Sequence, residues 1–357
     1  MKKRLLWIFI FVLIVCSSFS GFLLMSGPAL SPYALRAVEE LPEREISELV
    51  SGKVGYARSG EIDIWYEVLG NPLNPPILMV NGLGGSALSW SPHLIRGLLD
   101  EGFCLIRFDH RDLGCSEKVE TWDAEKPYTL EDMAGDALAI LDTLNLSKVH
   151  LLGYSMGGMI AQSLALSHSE RFYTFTCISS SGFMNDPELT ALSNSLKWQL
   201  LRFLLQSWVS LSPQQDIIRG LEAQTILRNF QPLTEEEVNF WMDIHRYDST
   251  LDRREHKDVG TRHVNAILAS GSRLENLPNI LLPTLIFHGT KDPLILPEHT
   301  EKFAGLIPNA KLEWVEGMGH IISKPYTPNI LGPLTEHLHE FNHPTSLEEL
   351  VQNTQKP

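Results

Sequence analysis

The hexapeptide Gly153–Gly158, with the sequence Gly-Tyr-Ser-Met-Gly-Gly, constrains the fold of this chain more than any other feature. It follows a strand-like run that ends at Leu152 and precedes a helical pattern, so Ser155 occupies a sharp turn between a strand and a helix. Such a turn holds its central residue in a strained conformation, and side chains at Gly153 or Gly157 would collide with neighbouring groups. The pattern therefore predicts a serine hydroxyl raised above the edge of a sheet.

Further strand-like runs predict a mostly parallel central sheet flanked by helices. Several runs are almost continuously apolar, which is typical of strands buried on both faces. A hairpin signal at Ser59-Gly60 leads into alternating strands and helices, and this order indicates the α/β class. The clearest helix is Leu130–Leu144, which begins with a capping box formed by Thr129 and Asp132. The predicted strands are Val54–Arg58, Ile62–Val68, Ile77–Val80, Cys104–Phe108, Val149–Leu152, Tyr173–Ile178, Thr284–Phe287 and Lys311–Val315.

Residues 183–280 contain no strand-like run and predict a helical cap inserted between strands 6 and 7. Their helical segments, such as Leu192–Leu211 and Glu235–Tyr247, are rich in Leu, Trp and Phe. A helical insertion at this place is expected to form a lid over the site. Aromatic residues at helical spacing more often pack a helix onto its neighbours than contact a substrate, and this applies to Trp198, Phe203, Trp208 and Trp241.

The predicted insertion also sets the boundaries of the other parts of the chain. We expect residues 53–182 and 281–345 to form the two halves of the α/β core, and residues 346–357 to form a flexible tail. Residues 26–52 contain Pro28, Pro32 and Pro42 among polar residues and predict a spacer with one short helix. The 357 residues are 43% hydrophobic and 20% charged, which suits one large α/β domain with an insertion.

The N-terminus resembles a targeting segment. Basic residues at positions 2–4 precede an uncharged run from Leu5, whose apolar character continues to Met25. The segment is long enough for a signal peptide or for a single membrane-spanning signal-anchor, and no good cleavage site follows it. We expect the catalytic domain to be exported and to stay membrane-anchored by residues 1–25, with cleavage and a secreted or periplasmic protein as the alternative.

Charge and metal-ligand patterns argue against several kinds of partner. The net charge is −14 and there is no basic stripe, which argues against nucleic acid. Cys104 and Cys177 lie in predicted strands, and no C-x-x-C motif is present, so the thiols are interpreted as buried apolar groups. Three C-terminal histidines, His337, His339 and His343, have no companion cluster. We expect no metal and no cofactor.

The loops after the last two predicted strands carry the groups that an active serine needs. A serine hydroxyl is a weak nucleophile near neutral pH and requires a base that a third group orients. Asp292 lies in a tight loop after the strand that ends at Phe287, and His320 ends the glycine-containing loop after Val315. The chain order Ser, Asp, His is the one expected for this type of turn. Ser155, Asp292 and His320 are therefore the candidate catalytic residues.

Acyl transfer also requires hydrogen-bond donors for the negatively charged oxygen of the tetrahedral intermediate. The backbone N–H of Met156 lies at a helix N-terminus, and the loop Asn81–Ser86 offers that of Leu83. We predict these two amides to form an oxyanion hole. The glycines of this loop lack the Lys and Ser/Thr of a phosphate-binding P-loop, so that interpretation is disfavoured.

Five ordered motifs resemble those of the α/β-hydrolase superfamily over roughly residues 53–342. They are Asn81–Gly85, Asp109–Ser116, Gly153–Gly158, Pro283–Pro293 and Gly317–His320. The segments Asp109–Asp112 and Ala269–Arg273 are most similar to the branch that contains aclacinomycin methylesterase. The resemblance implies an α/β-hydrolase fold and a serine hydrolase that acts on small carboxylic esters.

Two details of the motifs refine this resemblance. Asn81 stands where the superfamily often has His, but a backbone donor does not depend on that side chain. Ser155 argues against haloalkane dehalogenases and epoxide hydrolases, which have Asp at this position. The same triad can also serve C–C bond hydrolysis, perhydrolysis or amide cleavage, and the sequence does not separate these reactions. The remaining interpretation is a noncatalytic protein that uses the pocket as a receptor.

Overall fold

The computed structural model describes residues 28–40, 49–190, 212–250 and 258–341, together with residues 192, 196, 197 and 199. The N-terminal segment 1–25 and the predicted tail 346–357 lie outside the described residues. In the described part of the chain, no helix combines the length and the apolar composition of a membrane span.

Each of the predicted strand runs forms a strand of one eight-stranded sheet. The order across the sheet is β1-β2-β4-β3-β5-β6-β7-β8, with β1, β2 and β4 paired antiparallel and every other neighbouring pair parallel. The strands are β1 (Lys53–Ser59), β2 (Ile62–Leu69), β3 (Pro76–Val80), β4 (Cys104–Phe108), β5 (Val149–Tyr154), β6 (Phe172–Ile178), β7 (Thr284–Gly289) and β8 (Lys311–Val315).

The parallel arrangement decides where the loops meet. Because β3 to β8 run in the same direction, their carboxyl ends lie along one edge of the sheet. The loops after β3, β5, β7 and β8 leave from that edge, and they contain all five candidate site residues. An open parallel sheet binds its ligands outside the carboxyl ends of its strands.

Helices cover both faces of the sheet, which explains the almost continuous apolar runs in its strands. Side chains of β3 alternate between the two faces: Leu78 joins the core on one side, and Met79 joins the core on the other. α3, α4 and α8 cover the first face, and α2 and α9 cover the second. The helices are α1 (Pro32–Glu39), α2 (Pro92–Asp100), α3 (Leu130–Thr143), α4 (Met156–Ser167), α5 (Pro213–Leu227), α6 (Glu235–Thr250), α7 (Val259–Ser270), α8 (Pro297–Ala304) and α9 (Thr327–Glu340).

The predicted helix from Leu130 is confirmed, and its first turn shows why it starts there. The Thr129 hydroxyl accepts a hydrogen bond from the Asp132 amide at 3.2 Å, and the Asp132 carboxylate accepts from the Thr129 amide at 2.7 Å. This reciprocal capping box pairs two backbone donors that the first turn of a helix otherwise leaves free.

The described residues between β6 and β7 form α5, α6 and α7 and contain no strand. Of the predicted segment Leu192–Leu211, only residues 192, 196, 197 and 199 are described, so Trp198, Phe203 and Trp208 lie outside the described residues. Trp241 packs against the apolar cluster that joins α5 and α6. For Trp241, packing is therefore the observed role.

The short helix expected in residues 26–52 is α1, and it packs on the insertion. Its first turn is capped by Ser31, whose hydroxyl accepts from the Ala34 amide at 3.1 Å. Ala34 and Val38 are buried against apolar side chains of α5 and α6. The Tyr33 hydroxyl also donates to the Asn239 side chain of α6 at 3.0 Å. This part of the predicted spacer is therefore packed on the helical insertion through α1.

The turn between β5 and α4 packs directly against backbone. A β-carbon at Gly153 would lie 2.5 Å from the carbonyl oxygen of Gly157, and one at Gly157 would overlap the carbonyl oxygen of Val80 in β3. Real β-carbons do not approach other atoms so closely, and neither neighbour is a movable side chain. The glycines on both sides of Ser155 are therefore required by packing, as the sequence predicted.

We predict that Gly157→Ala lowers the free energy of unfolding by more than about 3 kcal/mol, because the new methyl group must displace β3. Urea unfolding followed by circular dichroism measures this change. Gly135→Ala is the matched control, since that glycine lies within α3 and a β-carbon there would meet nothing within 4 Å. The control is expected to gain roughly 0.5–1 kcal/mol. Equal stability of the two variants would contradict this view of the turn.

Candidate active site

Ser155 occupies the turn between β5 and α4 in a strained conformation. Its backbone angles are φ 55° and ψ −121°, a combination that residues other than glycine rarely adopt. Hydrogen bonds of its backbone hold it there: its amide donates to the Ile178 carbonyl at 2.9 Å, and its carbonyl accepts from the Gly158 amide at 2.9 Å and from the Ser180 hydroxyl at 2.8 Å. The predicted strained turn is confirmed.

His320 lies between Ser155 and Asp292. Its Nε2 is 3.0 Å from the Ser155 Oγ, and its Nδ1 is 2.7 Å from the Asp292 Oδ2. All three side chains are buried. The structure thus brings together three residues that are 165 and 28 positions apart in the sequence.

The hydrogen bonds of the Asp292 carboxylate determine which nitrogen of His320 carries the proton. The Asp292 Oδ1 accepts from the amides of Leu294 and Ile295 at 2.8 and 3.0 Å. These bonds orient the carboxylate so that Oδ2 faces the His320 Nδ1, which must donate to it. A neutral His320 then has an unprotonated Nε2, the form that can accept the proton of the Ser155 hydroxyl.

A further buried histidine, His288, lies beside Asp292, with its Nε2 at 3.7 Å from Oδ2. This Nε2 donates to the Ile295 carbonyl at 2.9 Å, and the Nδ1 lies 2.7 Å from the Thr300 hydroxyl. Burial lowers the pKa of His288, although the Asp292 carboxylate opposes this effect. His288 lies within the Pro283–Pro293 motif, where no local pattern indicates a role for it. The structure shows it holding the same loop as the Asp292 carboxylate.

The His320 backbone is fixed on two sides. Its amide donates to the Leu227 carbonyl at the end of α5 at 2.7 Å, and its carbonyl accepts from the Tyr154 hydroxyl at 3.0 Å. Burial raises the pKa of Tyr154, so this hydroxyl stays protonated and remains a donor. Gly319 permits the contact with the insertion, since a β-carbon there would lie 2.5 Å from the Leu227 carbonyl oxygen. The contribution of Tyr154 was missed because it occupies a variable position of the G-x-S-x-G pattern.

The loop after β3, residues 81–86 and here named the β3 loop, lies next to Ser155. A β-carbon on Gly82 would be 3.2 Å from the Ser155 Cβ. Asn81 organises the loop: its Oδ1 accepts from the Gly82 amide at 2.7 Å, and its Nδ2 donates to the Ser86 carbonyl at 2.7 Å. The side chain of Asn81, the residue that departs from the superfamily pattern, therefore stabilises the conformation of this loop through hydrogen bonds to its backbone.

Leu83 and Met156, the predicted oxyanion donors, lie on the two segments that flank the serine hydroxyl. Met156 is the first residue of α4, where a backbone N–H has no acceptor within the helix. Neither the Leu83 amide nor the Met156 amide donates to another residue in the part of the chain that the structure describes. Both amides are thus available to a bound group.

Cys104 and Cys177 are buried free thiols, as their strand positions predicted. Over the described residues, no group of three or more His, Cys, Asp or Glu side chains is arranged to hold a metal ion. His337 is buried in α9, and His343 lies outside the described residues.

Comparisons with known proteins agree with this architecture. The family model of the α/β-hydrolase fold matches residues 75–324. The chain is 29% identical over 283 residues to rhodomycin D methylesterase of Streptomyces peucetius, across 73% of this chain and 90% of that protein. Two similar solved structures show the same fold. One is 2-hydroxy-6-oxo-6-phenylhexa-2,4-dienoate hydrolase of a Rhodococcus species, with a TM-score of 0.63 and 20% identity over 81% of this chain and 100% of that one. The other is a membrane phospholipase A, with a TM-score of 0.57 and 20% identity over 96% of this chain and 98% of that one.

The family match spans more than half of the chain, from β3 to beyond His320. The sheet order, the strained serine turn and the relatives all agree with that match. The chain therefore belongs to the α/β-hydrolase-fold family, and it is a hydrolase.

Proposed function

We propose that this hydrolase cleaves small carboxylic esters through an acyl-enzyme, with Ser155 as nucleophile, His320 as base and Asp292 as the group that orients the base. The observation that carries the proposal is the hydrogen-bond chain from the Ser155 Oγ through His320 to Asp292, at 3.0 and 2.7 Å. The name of one similar protein, a methylesterase, supports an ester as the substrate, while others at similar identity are named as putative carbamate hydrolases.

The first half of the reaction forms the acyl-enzyme. Ser155 Oγ attacks the ester carbonyl carbon while His320 Nε2 accepts the hydroxyl proton. The amides of Leu83 and Met156 donate to the oxyanion of the tetrahedral intermediate. Such donors stabilise the transition state by about 2.7–4 kcal/mol each. When the C–O bond breaks, the imidazolium returns its proton to the leaving alcohol, while Asp292 stabilises the positive charge.

The second half releases the acid. Water attacks the acyl carbon and gives one proton to His320 Nε2, and the same proton returns to Ser155 Oγ when the acyl bond breaks. The products are one alcohol and one carboxylic acid. Every proton moves between the substrate, water and named side chains, so the mechanism uses no metal and no cofactor.

Other substrates of the same triad are distinguished by a substrate panel. Carbamates and amides, perhydrolysis of acetate with hydrogen peroxide, and vinylogous 1,5-diketones cover the alternative reactions. We expect short p-nitrophenyl esters and methyl esters to be hydrolysed fastest. Activity confined to the diketones would instead assign the protein to C–C bond hydrolysis.

Ser155→Ala is expected to lower kcat for p-nitrophenyl butyrate by about 10⁴-fold or more, because the acyl-enzyme can no longer form. Initial rates at saturating substrate measure this loss. Ser167→Ala, at the exposed C-terminal end of α4, is the matched control and should keep the wild-type rate. Wild-type turnover in Ser155→Ala would contradict the proposed nucleophile.

Asp292→Asn tests the orienting role without changing the size of the side chain. The two loop amides hold an oxygen at the Oδ1 position, so the new NH₂ group faces the His320 Nδ1. The imidazole must then accept at Nδ1 and carry its proton on Nε2, where it cannot act as a base. We expect kcat to fall by about 10⁴-fold with little change in melting temperature. A loss below about tenfold, from stopped assays at pH 7, would be inconsistent with this role.

We also propose that the catalytic domain is exported and anchored by residues 1–25. The sequence of this segment supports the proposal. The six residues 26–31 span at most about 20 Å, so the anchor would end close to α1 and the helices it contacts.

Membrane fractions test this proposal directly. The full chain should stay in the membrane pellet after alkaline carbonate washing and should show the intact mass of the uncut chain. A chain that begins at residue 26, expressed with a cleavable export signal, should be soluble and equally active on p-nitrophenyl butyrate. Recovery of the protein in the soluble fraction, with a mass that shows the loss of about 20 residues, would instead support cleavage.

A further inference from the structure

Resting on the proposed esterase function, we propose that two buried histidines, His110 and His263, hold the β3 loop on either side of Leu83, and that His263 of α7 is a positioning residue for this oxyanion donor. No motif in the sequence singles out His263. It lies on the helical insertion, 179 positions from its partner in the loop.

His263 bridges two backbone groups. Its Nδ1 accepts a hydrogen bond from the Gly84 amide at 3.2 Å, and its Nε2 lies 3.3 Å from the Arg111 carbonyl oxygen. An amide can only donate and a carbonyl can only accept. The ring must therefore be the neutral tautomer with its proton on Nε2, because a protonated Nδ1 would face the Gly84 N–H with no acceptor.

The surroundings of His263 favour the neutral ring. The side chain is fully buried, and burial lowers its pKa. The Asp112 carboxylate, which binds Arg262 at 3.0 Å, opposes the effect of burial on this pKa, and so does the contact with the Arg111 carbonyl. The Arg111 guanidinium, which binds Asp136 through two hydrogen bonds of 2.7 Å, acts in the same direction as burial. The remaining neighbours, the rings of His110 and Tyr128, contact it edge-on at 5.7 and 6.4 Å between centroids.

His110 holds the first residue of the β3 loop, Asn81. Its Nε2 donates to the Asn81 carbonyl at 2.9 Å, and its ring packs edge-on against Phe108 at 5.2 Å. Burial lowers the pKa of His110 to about 3, with the neighbouring His263 contributing in the same direction. This histidine therefore remains neutral near pH 7. It fixes the carbonyl of Asn81, before Leu83, while His263 fixes the amide of Gly84, after Leu83.

Between the bonds that His110 and His263 make, one backbone amide, that of Leu83, donates to no other described residue. The Gly82 amide donates to the Asn81 side chain, the Gly84 amide to His263, and the Gly85 amide to the Gly82 carbonyl at 3.1 Å. Leu83 is the residue between the bonded amides of Gly82 and Gly84. Gly84 has φ 65°, and a β-carbon there would meet nothing within 4 Å, so the loop has no steric restraint on that side of the residue. The His263 bond supplies that restraint and thereby fixes the direction of the Leu83 N–H.

Two substitutions of similar size separate this hydrogen bond from simple packing. His263→Leu fills the space but leaves Gly84 without an acceptor, whereas His263→Gln can accept through Oε1 and donate through Nε2. Thr261→Ala, at an exposed position of the same helix, is the control. The measurements are kcat and KM for p-nitrophenyl butyrate and the affinity for 1-butaneboronic acid, which forms a tetrahedral anion on an active serine.

We expect His263→Leu to lower kcat about 10- to 100-fold with KM within about twofold, because an oxyanion donor acts in the transition state rather than on bound substrate. Boronate affinity should fall by a similar factor. His263→Gln should keep kcat within about threefold of wild type, and Thr261→Ala should be unchanged. An unchanged kcat in His263→Leu, an equal loss in His263→Gln, or unaltered boronate affinity would overturn the proposal.

The wild-type protein provides a test that does not depend on any variant folding. Nuclear magnetic resonance of ¹⁵N-histidine-labelled protein at pH 7 should show His263 as the neutral tautomer protonated on Nε2. The tautomer protonated on Nδ1 would overturn the proposal. This result is independent of the reaction: wild-type turnover in Ser155→Ala would refute the proposed function while leaving the tautomer of His263 as a separate finding.

Discussion

The close packing of the β5–α4 turn against the end of β3 is the constraint on which the site depends. Without side chains at Gly153 and Gly157, the turn lies directly on backbone, and Ser155 is held at a positive φ by hydrogen bonds to both its amide and its carbonyl. The strain in this residue is sustained by the rigid sheet beneath it. The same contact places the β3 loop beside the serine, so the proposed nucleophile and the proposed oxyanion donors are positioned by one packing arrangement.

The loops after β7 and β8 position the other two side chains of the site, Asp292 and His320. Asp292 is oriented by two amides of its own loop and by its contact with His320, whose backbone is held by Tyr154 and by the end of α5. The insertion therefore touches both sides of the site, through Leu227 at the histidine loop and through His263 at the β3 loop. Its helices are part of the framework that sets the geometry, in addition to any role in covering the substrate.

The sequence predicted the elements whose signals are local. Apolar runs marked the buried strands, a capping box marked the start of α3, and the turn and loop motifs identified Ser155, Asp292 and His320 together. No role follows from the sequence for His263, because its partners lie far away along the chain, or for Tyr154, because it occupies an unspecified position of the G-x-S-x-G pattern. The partners of His288 lie 7 and 12 positions away, but they include a backbone carbonyl, which no sequence pattern reveals. The packing of α1 on α5 and α6 was likewise not predictable, since an amphipathic pattern shows that a face is buried but not against which partner.

Labelling with a fluorophosphonate probe tests the central claim most directly, because the probe phosphonylates only a serine that a base has activated. The account predicts a single adduct on the peptide that contains Ser155, detected by mass spectrometry, and at least a 100-fold slower reaction in His320→Gln. A folded wild-type protein with no adduct at Ser155, or an equal labelling rate in His320→Gln, would contradict it.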